Sequence, residues 1–276
     1  DVRNAHDVLF ALKSNLTAIE GILANWSRQP MLERNSKPVP PAEFESAHKV
    51  IKVARFNEIK EGGQEIHKKL KASNAVLKVS KGHPDWRAYV DFMNGIVVEG
   101  LAKTIEVSLT YLSDQLDPEQ IKRFDRLPVL EIDLDLFGTD VMFMPDIFET
   151  ATNTGVRDIV NGWIDSFHSV ARVFKRLDDN DGTYVREMTE YLSVRVLLDH
   201  INQSLSANEH ALVEFRNVYQ DYKYLWTTDL QKMFSDFVEK AYENASSAGV
   251  PNLDLFDQEI SKYRCPGRCQ RVEDTN

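Results

Sequence analysis

The sequence predicts a mainly α protein: elongated helical bundles of about seven helices with one small β-hairpin. Three observations carry that expectation. Apolar residues recur every three or four positions over most of the chain, which is helical spacing. One stretch only, Leu130 to Leu136, alternates apolar and acidic residues with the period of a half-buried strand. Hydrophobic residues make up 42% and charged residues 28% of 276 residues, the balance of a chain that buries a substantial core.

The organising segment is Asp85–Leu112. Its apolar positions Trp86, Tyr89/Val90, Met93, Ile96/Val97, Leu101, Ile105, Leu109 and Leu112 form a stripe. Phe92, Val98 and Val107 lie off it, so this helix is apolar around much of its circumference and belongs mid-bundle, with neighbours on several sides.

Before it, Val8, Leu9, Leu12, Leu16, Ile19, Ile22, Leu23 and Trp26 predict a helix over residues 5–27. Pro30 and the run Pro38-Val39-Pro40-Pro41 end it and predict an extended linker, because proline has no backbone donor. A second helix is expected over 42–79, with a kink or break at Gly62-Gly63, where each glycine costs about 1 kcal/mol relative to alanine. Gly82-His83-Pro84 is the turn into the central helix. Leu116-Asp117-Pro118-Glu119-Gln120 starts a short helix, with Asp117 as N-cap and Pro118 at the first helical position.

After Pro128 the period changes. Val129–Leu136 and Val141–Met144, joined by Phe137-Gly138-Thr139-Asp140, predict a hairpin that must lie against helices to be stable. Helix is expected again from about Asp146 to Phe174, over 184–205, and, as the longest clean apolar pattern, over 208–241, with a short helix at Asp254–Tyr263. From Arg264 the chain is polar and irregular and is expected to be disordered or foreign to the fold. The expected organisation is a helical bundle over 1–128, the hairpin over 129–145, a second bundle over 146–263 and an irregular end over 264–276.

Net charge bounds the partners. Lys and Arg total 33 against 43 Asp and Glu, a formal charge of −10 without a basic stripe, which disfavours nucleic acid and anionic membranes. No apolar run approaches the roughly 18 residues of a membrane span. Two cysteines cannot build a disulfide framework, which suits a reducing cytoplasm. The chain opens Asp1-Val2-Arg3-Asn4 without an initiator Met and reads as a fragment whose first helix is already under way.

No motif in the sequence predicts a catalytic, cofactor-binding or metal-binding residue. Gly95-x4-Gly100 with Lys103-Thr104 places the lysine two residues late for a phosphate loop and sits inside a helical pattern; small residues permitting close helix packing explain it better. Read as a calcium loop with Gly182 at the sixth position, Asp179, Asp181 and Gly182 would put Leu177 and Met188 where carboxylates are needed, so the stretch reads as an acidic inter-helix turn. Cys265-x3-Cys269 lacks further ligands for zinc. His6, His48, His67, His83, His168, His200 and His210 are scattered and read as surface or helix-flank residues. Trp26, Trp86, Trp163 and Trp226 follow helical spacing and read as core.

Several blocks, in order, then matter together. They are Ile22-Leu23-Ala24-Asn25-Trp26-x3-Pro30-Met31-Leu32-Glu33-Arg34, Glu58-Ile59-Lys60-Glu61-Gly62-Gly63-x2-Ile66-His67, Trp86-x2-Tyr89-Val90, Ile105-Glu106-x-Ser108-Leu109-x-Tyr111-Leu112 and Tyr224-Leu225-Trp226-x2-Asp229. Taken together they resemble the tail, or stem, of axonemal dynein heavy chains, over about residues 5–263. The resemblance implies a helical segment upstream of the linker of a minus-end-directed microtubule motor. It implies a structural role, with ATP bound only in a motor region outside this segment and no catalysis or cofactor here. It implies dynein intermediate and light chains and another heavy chain as partners, and the axonemal doublet microtubule through the complex, in the cilium. Arg264–Asn276 departs from the family, which would continue in helix toward the linker. Glu131, Asp133 and Asp135, on the outer side of the hairpin, are candidates for meeting basic partner surfaces. The rival class is a generic helical adaptor or vesicle-tethering subunit.

Overall fold

Apolar residues at helical spacing and the punctuation of prolines and acidic caps account for most of the observed elements. A computed structural model describes residues 2–33, 36–124, 127–173, 175–178, 182–236 and 238–239. The expected helix at Asp254–Tyr263, the irregular end from Arg264, Cys265, Cys269, Asp179 and Asp181 lie outside the described residues. The order is α1 (Val2–Trp26), α2 (Pro41–Leu77), α3 (Pro84–Leu116), α4 (Pro118–Arg123), β1 (Asp133–Phe137), β2 (Asp140–Met144), α5 (Val156–Ser169), a 3-10 turn (Val170–Arg172), α6 (Val185–Glu190), α7 (Leu192–Gln220) and α8 (Tyr224–Thr227). The protein is therefore mainly α with one two-stranded sheet.

Helix starts follow side-chain chemistry. His83 caps α3, its Nδ1 accepting the Asp85 N–H at 3.3 Å. Asp117 caps α4, its carboxylate accepting the Glu119 N–H at 2.9 Å, with Pro118 at the position where its missing N–H costs nothing. Pro41 opens α2 in the same way.

Packing divides the described chain into two units, 1–133 with 144–210, and 134–143 with residues from Ala211 onward. In the first, one apolar cluster takes in α1, α2, α3, α5, α6 and the first part of α7. The cluster is centred on α3, whose Met93, Val97, Leu101, Ile105 and Leu109 are fully buried. In the second, the indole N–H of Trp226 donates to the Thr139 carbonyl at 3.2 Å, and Lys223 Nζ lies 2.7 Å from Asp140, whose carboxyl that hydrogen bond holds below its usual range. This partition differs from the one expected at 128 and 145. The helices after the hairpin turn Val160, Phe167 and Val194 into the same core as α1–α3.

Five expectations are corrected. Helix α2 runs unbroken through Gly62-Gly63: Gly62 sits where Trp26 and Ile22 of α1 approach closely, and Gly63 is buried. The proline run is not a free linker: Val39 is buried and pairs with Leu130, Glu131 N–H donating to the Val39 carbonyl at 2.9 Å. That bridge takes up the start of the expected strand, so β1 begins at Asp133 rather than at Val129. Helix resumes at Val156, not near Asp146. Between them Thr150, Thr152 and Thr154 bond one another, and the Asp158 carboxylate accepts the N–H groups of Thr150 (2.8 Å) and Gly155 (3.0 Å). Such short polar side chains compete with the helical ladder. Finally, α7 continues through Ser206-Ala207, where no glycine or proline stops it, and the expected helix over 208–241 is instead interrupted after Gln220 and again at Thr228.

Candidate functional site

Three of the blocks that carry the resemblance, those of Trp26, Gly62 and Ser108, meet at the junction of α1, α2 and α3. Trp26 ends α1 with only 1% of its surface exposed, and the chain after it turns inward so that Met31 and Leu32 are equally buried. A helix end leaves carbonyls without intrahelical donors. Arg55 of α2 supplies them, its guanidinium donating to the carbonyls of Trp26 at 2.6 Å and Gln29 at 3.1 Å while pairing with Glu58. Glu58 also accepts from Asn25 at 2.7 Å. On the other side the Met31 N–H donates to the hydroxyl of Ser108 at 3.1 Å, deep in α3. A Cβ on Gly62 would stand 2.7 Å from the Trp26 indole nitrogen, and one on Gly100 would stand 2.9 Å from the Leu23 side chain. Both glycines thus permit close approach to α1.

A second constellation ties Leu177 and Tyr184 to α3. The Asn94 carbonyl oxygen accepts the Tyr184 hydroxyl at 2.6 Å and the Leu177 N–H at 3.2 Å, in the interior. Burial pushes the Tyr184 phenol well above its ordinary value, and the Arg176 guanidinium lies over its ring at 5.1 Å. Arg176 itself pairs with Asp178 at 3.2 Å and with Glu187.

The third seam joins α2 to α5. Trp163, fully buried, donates its indole N–H to Glu45 at 2.7 Å and packs on Phe44 at 4.8 Å. His48 lies in the same seam, 5% exposed, with neither ring nitrogen hydrogen-bonded. Burial lowers its pKa from the ordinary imidazole value, against a smaller opposing pull from Glu45. His168 on α5 is lowered by burial too. His48 is therefore a core residue, not the surface or helix-flank residue expected; it occupies an inward position one turn beyond Phe44, a periodicity visible in the sequence but masked by its polar side chain. On the far side of α5, Arg157 grips Glu209 of α7 with two bonds, at 2.5 and 2.7 Å.

Gly95, Gly100, Lys103 and Thr104 lie in the interior of α3, and the Thr104 hydroxyl donates to the Gly100 carbonyl at 2.8 Å. Glu131, Asp133 and Asp135 are all exposed. Trp86 is buried; Trp226 is only half-buried and is not part of the core cluster. Ser113, His200 and Asp117 form a grouping that spacing did not foreshadow. The Ser113 hydroxyl lies 2.8 Å from His200 Nδ1, but His200 Nε2 stands 3.9 Å from Asp117, beyond hydrogen-bond reach. Asp117 is already engaged as the α4 cap, so the grouping joins α7 to the end of α3. Among the described residues no group of three or more His, Cys, Asp or Glu could hold a metal ion, and no helix is long and apolar enough to cross a membrane.

A bundle whose polar side chains are spent on tying helix to helix defines the class of helical-bundle segment. Across 95% of its length the chain is homologous to axonemal and ciliary dynein heavy chains. It is 35% identical over 266 residues to the flagellar outer-arm dynein beta chain of Chlamydomonas reinhardtii. It is 26% identical over 280 residues, again 95% of the chain, to the ciliary dynein beta chain of Heliocidaris crassispina. It is 21% identical over 263 residues, 91% of the chain, to dynein axonemal heavy chain 17 of Mus musculus. The chain spans about 6% of the length of each of these relatives. No family model matches it.

Proposed function

We propose that the chain is a structural segment of the tail of a ciliary dynein heavy chain, a microtubule motor of the axoneme. The observation that carries this reading is the similarity over 95% of the chain to dyneins of the flagellar outer arm and of cilia. In this role the segment holds dynein intermediate and light chains and a sister heavy chain, and anchors the complex to the doublet microtubule. It transmits force without catalysis or cofactor of its own, ATP being used in the motor region. The helix-to-helix ties support the mechanical part of the reading. Arg55, Asn94, Arg157 and Trp163 each bond across a helix or loop junction, so load entering one element reaches its neighbours through buried or half-buried polar contacts. The charge of −10 favours protein partners over nucleic acid or lipid.

The test is direct binding of nucleotide and of partners. A fluorescent ATP analogue at micromolar concentration should show no saturable binding to the chain. The chain immobilised in ciliary extract should retain dynein intermediate and light chains. Saturable nucleotide binding, or recovery of membrane-tethering factors in place of dynein subunits, would overturn the proposal.

A further inference from the structure

A groove runs along α1 and α2 outside the seam where they meet. Its α1 wall is Ala18, Gly21 and Asn25, and its α2 wall is Glu58, Glu61 and Glu65. Both sets are spaced i, i+3, i+7, so each wall is a single helical face and the groove follows the pair for about two turns. Its volume is about 450 Å³, and Ile22, Trp26 and Gly62 form its floor. The two walls differ in chemistry. The α1 wall is small: a Cβ placed on Gly21 would meet no heavy atom within 4 Å, so the space above that glycine is open. The α2 wall is acidic, and no basic side chain lines the groove.

We infer that this groove docks a basic amphipathic helix of another polypeptide. Its small or apolar face lies on Ala18 and Gly21, and its Lys or Arg residues, repeating i, i+3, i+7, face Glu58, Glu61 and Glu65. Two features select a helix over an extended peptide. Neither wall offers an unpaired strand edge, since both are helical, and the walls have the helical period themselves. A helix seated in a groove also needs a small residue where the two backbones come closest, and Gly21 supplies it. The charge selects the basic partner. Glu58 is already held by Asn25 and Arg55, and Glu65 by Lys68 on its own helix, but among the described residues no ion pair engages Glu61. An acidic partner helix would place like charges against all three.

The inference rests on the reading of the chain as an assembly scaffold, and its test separates the two. The probe is a synthetic helical peptide of Ala and Leu carrying Lys at i, i+3 and i+7, with a counterpart in which each Lys is Glu. Fluorescence anisotropy should show saturable binding of the Lys peptide to the full chain, weaker in high salt, and none of the Glu peptide. Gly21→Leu fills the groove from an exposed position in α1 and should weaken binding by about tenfold or more with no loss of melting temperature. Glu61→Lys should weaken it as well. Equal binding by the Gly21→Leu chain, equal binding of the two peptides, or no binding at all would overturn the groove assignment. If Gly21→Leu abolishes peptide binding while the wild-type chain retains no dynein subunit from ciliary extract, the scaffold reading fails and the groove stands. If the wild-type chain retains dynein subunits while the Lys peptide binds the wild-type and Gly21→Leu chains equally, the scaffold reading stands and the groove fails.

Discussion

Trp26, Trp86 and Trp226 share helical spacing in the sequence and part company in the structure. Trp26 is capped by Gly62 beneath its ring and Trp86 is buried at the start of α3, whereas Trp226 leans half-exposed on the hairpin turn. Truncating a buried aromatic to Ala costs about 3–5 kcal/mol. Trp26→Ala and Trp86→Ala should each lower stability by that order in a denaturant titration. Trp226→Ala should cost no more than about 1.5 kcal/mol, because its ring is only partly buried and lies outside the core cluster. A smaller loss at Trp26 than at Trp226 would contradict this ordering. His48 makes a pH prediction. Its imidazole is neutral and unbonded in the α2–α5 seam, with a folded-state pKa below the ordinary 6.5. Below pH 6.5 the unfolded chain takes up the proton more readily than the folded one, so stability falls as pH drops through and under that value. His48→Leu should flatten the slope of stability between pH 7.5 and 5; an unchanged slope would show that His48 is not its source.

At the scale of elements, legibility followed how local the signal was. Helices α1, α2 and α3 were readable because their apolar stripes run for several turns, and α4 because Asp117-Pro118 is a start signal complete in itself. The hairpin was readable from the single switch to period two. What was not readable depended on contacts distant in sequence. Gly62-Gly63 looks like a break in isolation, yet α1 lies against it, and the backbone cost of glycine is offset by the close approach. Gly62→Ala is therefore expected to destabilise the α1–α2 pair although alanine is the better helix former by about 1 kcal/mol. A Cβ 2.7 Å from the Trp26 ring nitrogen forces the helices apart. A melting temperature raised by Gly62→Ala would show that α1 does not press on α2 at this point. The delayed start of α5 is of the same kind: Asp158 is unremarkable in sequence, and only its three-way use by Thr150 and Gly155 reveals the turn that precedes the helix. Of the candidate site, the convergence of the Trp26, Gly62 and Ser108 blocks could not be seen from spacing alone, since it depends on which faces of three helices meet.

For the whole molecule, the central claim is that this helical segment works as tail scaffold in a ciliary dynein rather than as part of its motor. Exposed lysines on separate elements, Lys13 on α1, Lys60 on α2 and Lys103 on α3, make its surroundings measurable in the assembled complex. The most direct measurement is cross-linking mass spectrometry on intact axonemal dynein containing this chain. The account predicts cross-links from these lysines to intermediate chains, light chains or a second heavy chain. Cross-links confined to the ATP-hydrolysing region of the same heavy chain, with none to another subunit, would contradict it.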